Sequence, residues 1–142
     1  MKFFKFVVAI WALLPLLTGL MDILVGPSAW RGIGLGINDL ALADSVLDSQ
    51  IRFVGTIWFA YGVLLLVCLK DVKKYATILN GALFVVFLGG IARVLSIFMV
   101  GFPASSVGSG FIIIALLIEL FLMPGLMFWF YYIRKFSKVT SW

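Results

Sequence analysis

Four long apolar runs divide the chain. The first extends from Phe6 to Val25 and is interrupted only by Asp22. The second extends from Phe53 to Leu69, the third from Ala76 to Val100 with Arg93 inside it, and the fourth from Phe111 to Ile133 with Glu119 inside it. A helix needs about 20 mostly apolar residues to cross a bilayer, with about 17 as the lower limit, so each run is long enough. The pattern predicts spans at about 5–25, 51–69, 76–100 and 110–133. Together they make one all-α transmembrane four-helix bundle that takes in the whole chain as a single domain.

The connections differ in kind. Lys70 to Tyr75 reads as a tight hairpin, and Gly101 to Gly110 as a short uncharged loop rich in Gly and Ser. The outer loop, 26–50, is long for so small a chain. Its first part, from Gly26 to Gly36, holds Pro27 and repeated glycines and reads as irregular. Its second part, from Asn38 to Gln50, sets Leu40, Ala43 and Leu47 at helical spacing against Asp39, Asp44 and Asp48. That spacing predicts a short interfacial helix between the first two spans. Asp48 or Ser49 is the expected cap of the second span. Trp30 is the expected anchor at headgroup level.

Basic residues give the orientation. Lys2 and Lys5 precede the first span, Lys70, Lys73 and Lys74 separate the second from the third, and Arg134, Lys135 and Lys138 follow the fourth. Alternating helices place all of them on one side. The other side has Arg31 and Arg52 among Asp39, Asp44 and Asp48. The positive-inside rule then puts both termini in the cytoplasm. Lys2 and Lys5 ahead of an apolar stretch also resemble a signal peptide. The run is too long for one and no small-residue cleavage site follows it, so it is expected to stay as a span.

Composition agrees with a lipid solvent: 64% of residues are hydrophobic and 12% charged, against roughly half and a quarter in a soluble domain. The net charge of +5 comes from residues at span ends, and nucleic acid is not an expected partner. The absence of histidine removes the commonest general base and metal ligand. The single cysteine, Cys68, reads as a small apolar packing residue. Neither a cofactor nor a metal site is expected.

The informative residues are charges inside the spans. Arg93 lies roughly 10 Å below the outer end of its run, and Glu119 roughly 12 Å below the start of its own, at about 1.5 Å per residue. Either charge alone costs about 2.5–3.5 kcal/mol on insertion scales, so the two are expected to pair inside the bundle. Asp22 stands one turn from the outer end of the first span. Asp48 and Arg52 are four apart at the start of the second, and Ser96 follows Arg93 by three. Alternation brings Asp22, Asp48, Arg52, Arg93, Ser96 and Glu119 into one outer half, whereas the inner half has only Asn80. Gly55 and Gly62, a heptad apart, and Gly89 and Gly90, one turn below Arg93, mark faces for close helix packing. Pro15 and Pro124 are expected to bend the first and fourth spans.

Several strings resemble a known family. Asp48-Ser49-Gln50, Arg52-Phe53, Gly55 and Tyr61-Gly62 are similar to the second-span pattern of the bacterial domain of unknown function 4345. Phe87-Leu88-Gly89-Gly90-Ile91-Ala92-Arg93-Val94-Leu95-Ser96 resembles its third-span signature. Gly101-Phe102-Pro103 and Glu119-Leu120 are similar to its closing elements. The resemblance implies small four-helix membrane proteins of the bacterial inner membrane with no established activity. It marks Arg52, Arg93 and Glu119 as the polar set.

Two roles compete for these charges. They are either glue that fixes helix packing or the lining of a pocket open to the outer side. The full cluster favours the pocket. The expected function is binding of a membrane lipid or small amphiphile, or service as an accessory subunit of an envelope complex with a membrane-protein partner. The alternatives are an embedded isomerase or hydrolase acting on a lipid-like substrate, with Glu119 or Asp22 as acid or base, and a small transporter or channel formed as a homo-oligomer.

Overall fold

The computed structural model describes residues 1–137; Lys138 of the C-terminal basic group lies outside them. Those residues form an all-helical bundle without strands. The long helices are α1 (Lys2–Val25), α4 (Ser45–Lys70), α5 (Ala76–Val100) and a fourth made of α6 (Ser106–Leu117), a π turn (Ile118–Leu122) and α7 (Met123–Ser137). All four are long and apolar enough to cross a membrane. Two short helices, α2 (Pro27–Gly32) and α3 (Asp39–Ala43), lie between α1 and α4. The N-terminus, the 71–75 turn and the end of α7 share one end of the bundle, termed proximal. The 26–44 and 101–105 connections share the other, distal end.

The distal loops are more ordered than their glycines imply. Residues 26–36 read as irregular, yet Pro27 opens α2. Gly26 turns the chain at φ 68, and the fixed φ of Pro27 then starts a new helix. The helix expected from Asn38 to Gln50 ends at Ala43. The Asn38 side chain caps it by accepting from Ala41 N–H at 2.9 Å. Asp44 then breaks the path and caps α4, accepting from Val46 N–H at 2.8 Å and Leu47 N–H at 3.1 Å. The cap is therefore Asp44 and not Asp48 or Ser49, and α4 starts at Ser45, earlier than the apolar run. The fourth helix also starts early, at Ser106. Ser105 Oγ accepts from Gly108 N–H at 3.0 Å, and Ser109 Oγ donates to Pro103 O at 2.9 Å.

α1 and α4 form one antiparallel hairpin, α5 and the α6–α7 helix the other. Small residues set the separation in the first. A Cβ on Gly19 would stand 2.6 Å from Phe59 N and 2.7 Å from Gly55 O, and one on Gly62 would stand 2.7 Å from Leu16 Cγ. Polar links tie the same seam: Trp58 Nε1 donates to Thr18 Oγ1 at 2.9 Å, and Trp11 Nε1 donates to Tyr61 OH at 3.4 Å.

The two hairpins meet mainly in the proximal half. The buried core comprises Phe4, Val8, Trp11 and Ala12 of α1, Leu65 and Cys68 of α4, Val72, Ala76 to Val86 on one face of α5, and Met123, Leu126 and Phe130 of α7. Phe4 stacks on Phe130 at 5.1 Å and meets Trp129 edge-on at 5.4 Å. In the distal half Ala29 and Ile51 are buried but stand apart from this core. There the segment after α2 reaches the second hairpin, and a Cβ on Gly34 would lie 3.5 Å from Val107 Cγ1.

Candidate functional site

The polar residues of the distal half fall into two sets, one within each hairpin. The first joins α1, α2 and α4. Asp22, 8% exposed, accepts from Trp30 Nε1 at 2.6 Å. Arg52 donates from Nε to Asp48 Oδ2 at 2.8 Å and from Nη2 to Asp48 Oδ1 at 3.1 Å. Its Nη1 donates to the carbonyls of Ile23 at 2.7 Å and Leu24 at 3.3 Å. These carbonyls end α1 and have no partner in their own helix, so Arg52 caps α1 from the neighbouring helix. Gly26 packs on this pair, where a Cβ would stand 2.7 Å from Asp48 Oδ1. Each nitrogen of the Arg52 guanidinium is thus engaged, and the set works as a lock on the hairpin.

The second set joins α5 to the π turn. Arg93 Nε donates to Glu119 Oε2 at 3.0 Å and Nη2 to Oε1 at 2.9 Å, a bidentate ion pair. The Arg93 guanidinium also lies 5.8 Å from the centre of the Phe111 ring, within cation–π range. The Glu119 side chain is 12% exposed and that of Arg93 32%.

Backbone geometry explains how they meet. A Cβ on Gly90 would fall 2.8 Å from Glu119 Cβ and 2.8 Å from Leu120 Cδ2. Glu119 is therefore level with Gly90, one turn deeper than Arg93, because α6 starts before the apolar run does. Helical side chains lean toward their own N-terminus, so Arg93 reaches down that turn. The π turn contributes too. Met123 N–H donates to Ile118 O, five residues back, and the widened turn half-buries Ile118, Glu119 and Leu120 in succession. Pro124, just beyond, has no N–H to continue an α-helical ladder, which favours irregular bonding at this point.

Donor counting separates the two arginines. A guanidinium has five N–H donors. Glu119 takes one from Nε and one from Nη2, so among the described residues the Nη1 donors and the second Nη2 donor of Arg93 have no partner. These form the end-on edge of the fork, free to receive two oxygens of an anion.

Ser96 is exposed, and its hydroxyl has no hydrogen-bond partner among the described residues. A distal cavity of about 120 Å³ is lined by Trp30, Gln50, Ile51 and Val54; none of these is charged, and Trp30 is the partner of Asp22. Trp30 as the partner of Asp22 was not foreseen from the sequence, since the eight-residue separation takes meaning only once α2 folds back. In the proximal half Asn80 Oδ1 is buried without a partner among the described residues.

Four apolar helices of spanning length, with Arg93 and Glu119 paired between two of them, define a multi-helix membrane protein. The chain belongs to the family described as Domain of unknown function (DUF4345), which it matches over residues 3–130. No curated protein and no solved structure matches it.

Proposed function

We propose that this protein binds a lipid or small amphiphile in the distal half of its bundle, with Arg93 holding the anionic part of the ligand and Glu119 holding Arg93. The observation that carries the reading is the open edge of the Arg93 guanidinium, partly exposed while its other edge is fixed by Glu119. Unpaired donors in a low-dielectric setting are costly, and a ligand oxyanion relieves that cost. Arg52 has no comparable spare edge, and with Asp48 and the end of α1 it braces the first hairpin; Asp22, Asp48 and Arg52 are proposed as the rim of the site and not as its anion contact. At Glu119 a binding role is favoured over a catalytic one because both of its oxygens accept from Arg93, which does not suit the free base that acid–base chemistry uses.

The proposed setting is the bacterial inner membrane with the termini in the cytoplasm. Lys2, Lys5, Lys70, Lys73, Lys74, Arg134 and Lys135 all belong to the proximal end, in keeping with the positive-inside rule.

Native mass spectrometry of protein extracted with its surrounding lipid tests the binding. Wild type is expected to carry a bound amphiphile that is absent from the double variant Arg93→Met/Glu119→Met at unchanged helix content. An adduct retained by the folded double variant, or none on wild type, overturns the reading.

A further inference from the structure

The depth of the open edge restricts the ligand. Val100 ends α5. At 1.5 Å per residue Arg93 lies about 10 Å below it and Gly90 about 15 Å below. The guanidinium reaches down toward Glu119, which is level with Gly90. The hydrocarbon core of a bilayer is about 30 Å thick, so the donor edge lies well below the plane of the headgroups. Above it, the segment after α2 crosses from the first hairpin to the start of α6 at Gly34 and Val107. Beside it, the core that the hairpins share has thinned out, since none of its buried α5 residues lies distal to Val86. Gly89, four residues before Arg93 and so beneath it on the same helix face, has open space where a side chain would stand.

From these features we infer that the ligand is a lipid whose head is a small terminal oxyanion, a free carboxylate or a phosphate monoester with no second alcohol on it, entering sideways from the distal leaflet. This rests on the amphiphile-binding reading above. The two oxygens of such a head match the end-on edge of the guanidinium, and the chain runs past Gly89. A phosphodiester head that carries a second glycerol, an ethanolamine or a choline is bulkier, and drawing it to this depth buries those added polar groups as well.

The test uses the full chain in nanodiscs of phosphatidylcholine, titrated separately with oleate, phosphatidate and phosphatidylglycerol, with binding read by native mass spectrometry. Oleate or phosphatidate is expected to bind at least tenfold more tightly than phosphatidylglycerol. Preference for oleate alone identifies the carboxylate as the source, and preference for phosphatidate alone the phosphate monoester. Gly89→Leu, which fills the space below Arg93, is expected to weaken the preferred lipid at least fivefold with the fold retained. Equal binding of phosphatidylglycerol, still lost in Arg93→Met/Glu119→Met, overturns the small-head inference and leaves amphiphile binding standing. Binding of all three that ignores the double substitution, or no binding of any, overturns both.

Discussion

Gly90 and Glu119 stand in contact across the second hairpin, so close that a methyl group at position 90 would lie 2.8 Å from Glu119 Cβ. Neither atom is the end of a flexible side chain, so the helices themselves must part to admit it. Gly90→Ala is expected to destabilise the protein by about 1–3 kcal/mol, as overpacking does, and to break the pair with Arg93. Gly89→Ala has open space and is expected to be neutral or stabilising by up to about 1 kcal/mol from helix propensity. Equilibrium unfolding in mixed micelles distinguishes the two. Equal effects would disprove the close approach.

The ion pair is expected to show strong coupling. Arg93→Met alone leaves a carboxylate without its partner, and loss of one member of a buried pair costs about 3–5 kcal/mol. The exposure of Arg93 places it at the lower end. Replacing both Arg93 and Glu119 by Met is expected to restore most of the stability, since well-packed apolar replacement of such pairs is often neutral. A double-mutant cycle on unfolding free energy measures this. Additive losses would mean that the two charges act independently.

Arg52 is expected to be irreplaceable by lysine. It serves Asp48 through two nitrogens and the end of α1 through the third, and one ammonium cannot span both. Arg52→Lys and Arg52→Gln are each expected to lower stability, because Asp48 or the end of α1 loses its partner. Hydrogen exchange is expected to rise around residues 23–30, where α1 passes into α2. Unchanged exchange in that segment would contradict a capping role.

Asp44→Ala removes the acceptor for two amides at the start of α4 and is expected to cost about 1 kcal/mol. Faster exchange should be confined to residues 45–48. Asp48→Ala, by contrast, should disturb the end of α1 through Arg52. Identical exchange patterns in the two variants would show that the cap has been misassigned.

The spans were legible because lipid imposes a plain requirement, long apolar runs. The Arg93–Glu119 partnership was legible because lone charges are too costly in such runs. Three things were not. Helix ends extended past the apolar runs, at Ser45 and Ser106, because polar caps at Asp44 and Ser105 govern them rather than hydropathy. The helix Pro27–Gly32 was hidden by neighbouring glycines, of which Gly26 alone sets its entry. The division of the charges into two sets depends on which helices pair distally, and alternation along the chain does not encode that. Trp30 meeting Asp22 follows from the same missing information.

The wide turn at Ile118–Leu122 acts as a phase shifter. Upstream it aims Glu119 at α5; downstream it aims Met123, Leu126 and Phe130 into the proximal core. A π turn holds one residue more than an α turn, so losing one residue beyond Glu119 would close it to an α turn and leave the two flanking segments nearly in phase. A deletion elsewhere in the fourth helix would instead rotate everything beyond it by about 100°, and the helix could then keep its charged contact or its apolar seat, not both. Chain length is therefore more tightly constrained in the flanking α-helical segments than at these five positions.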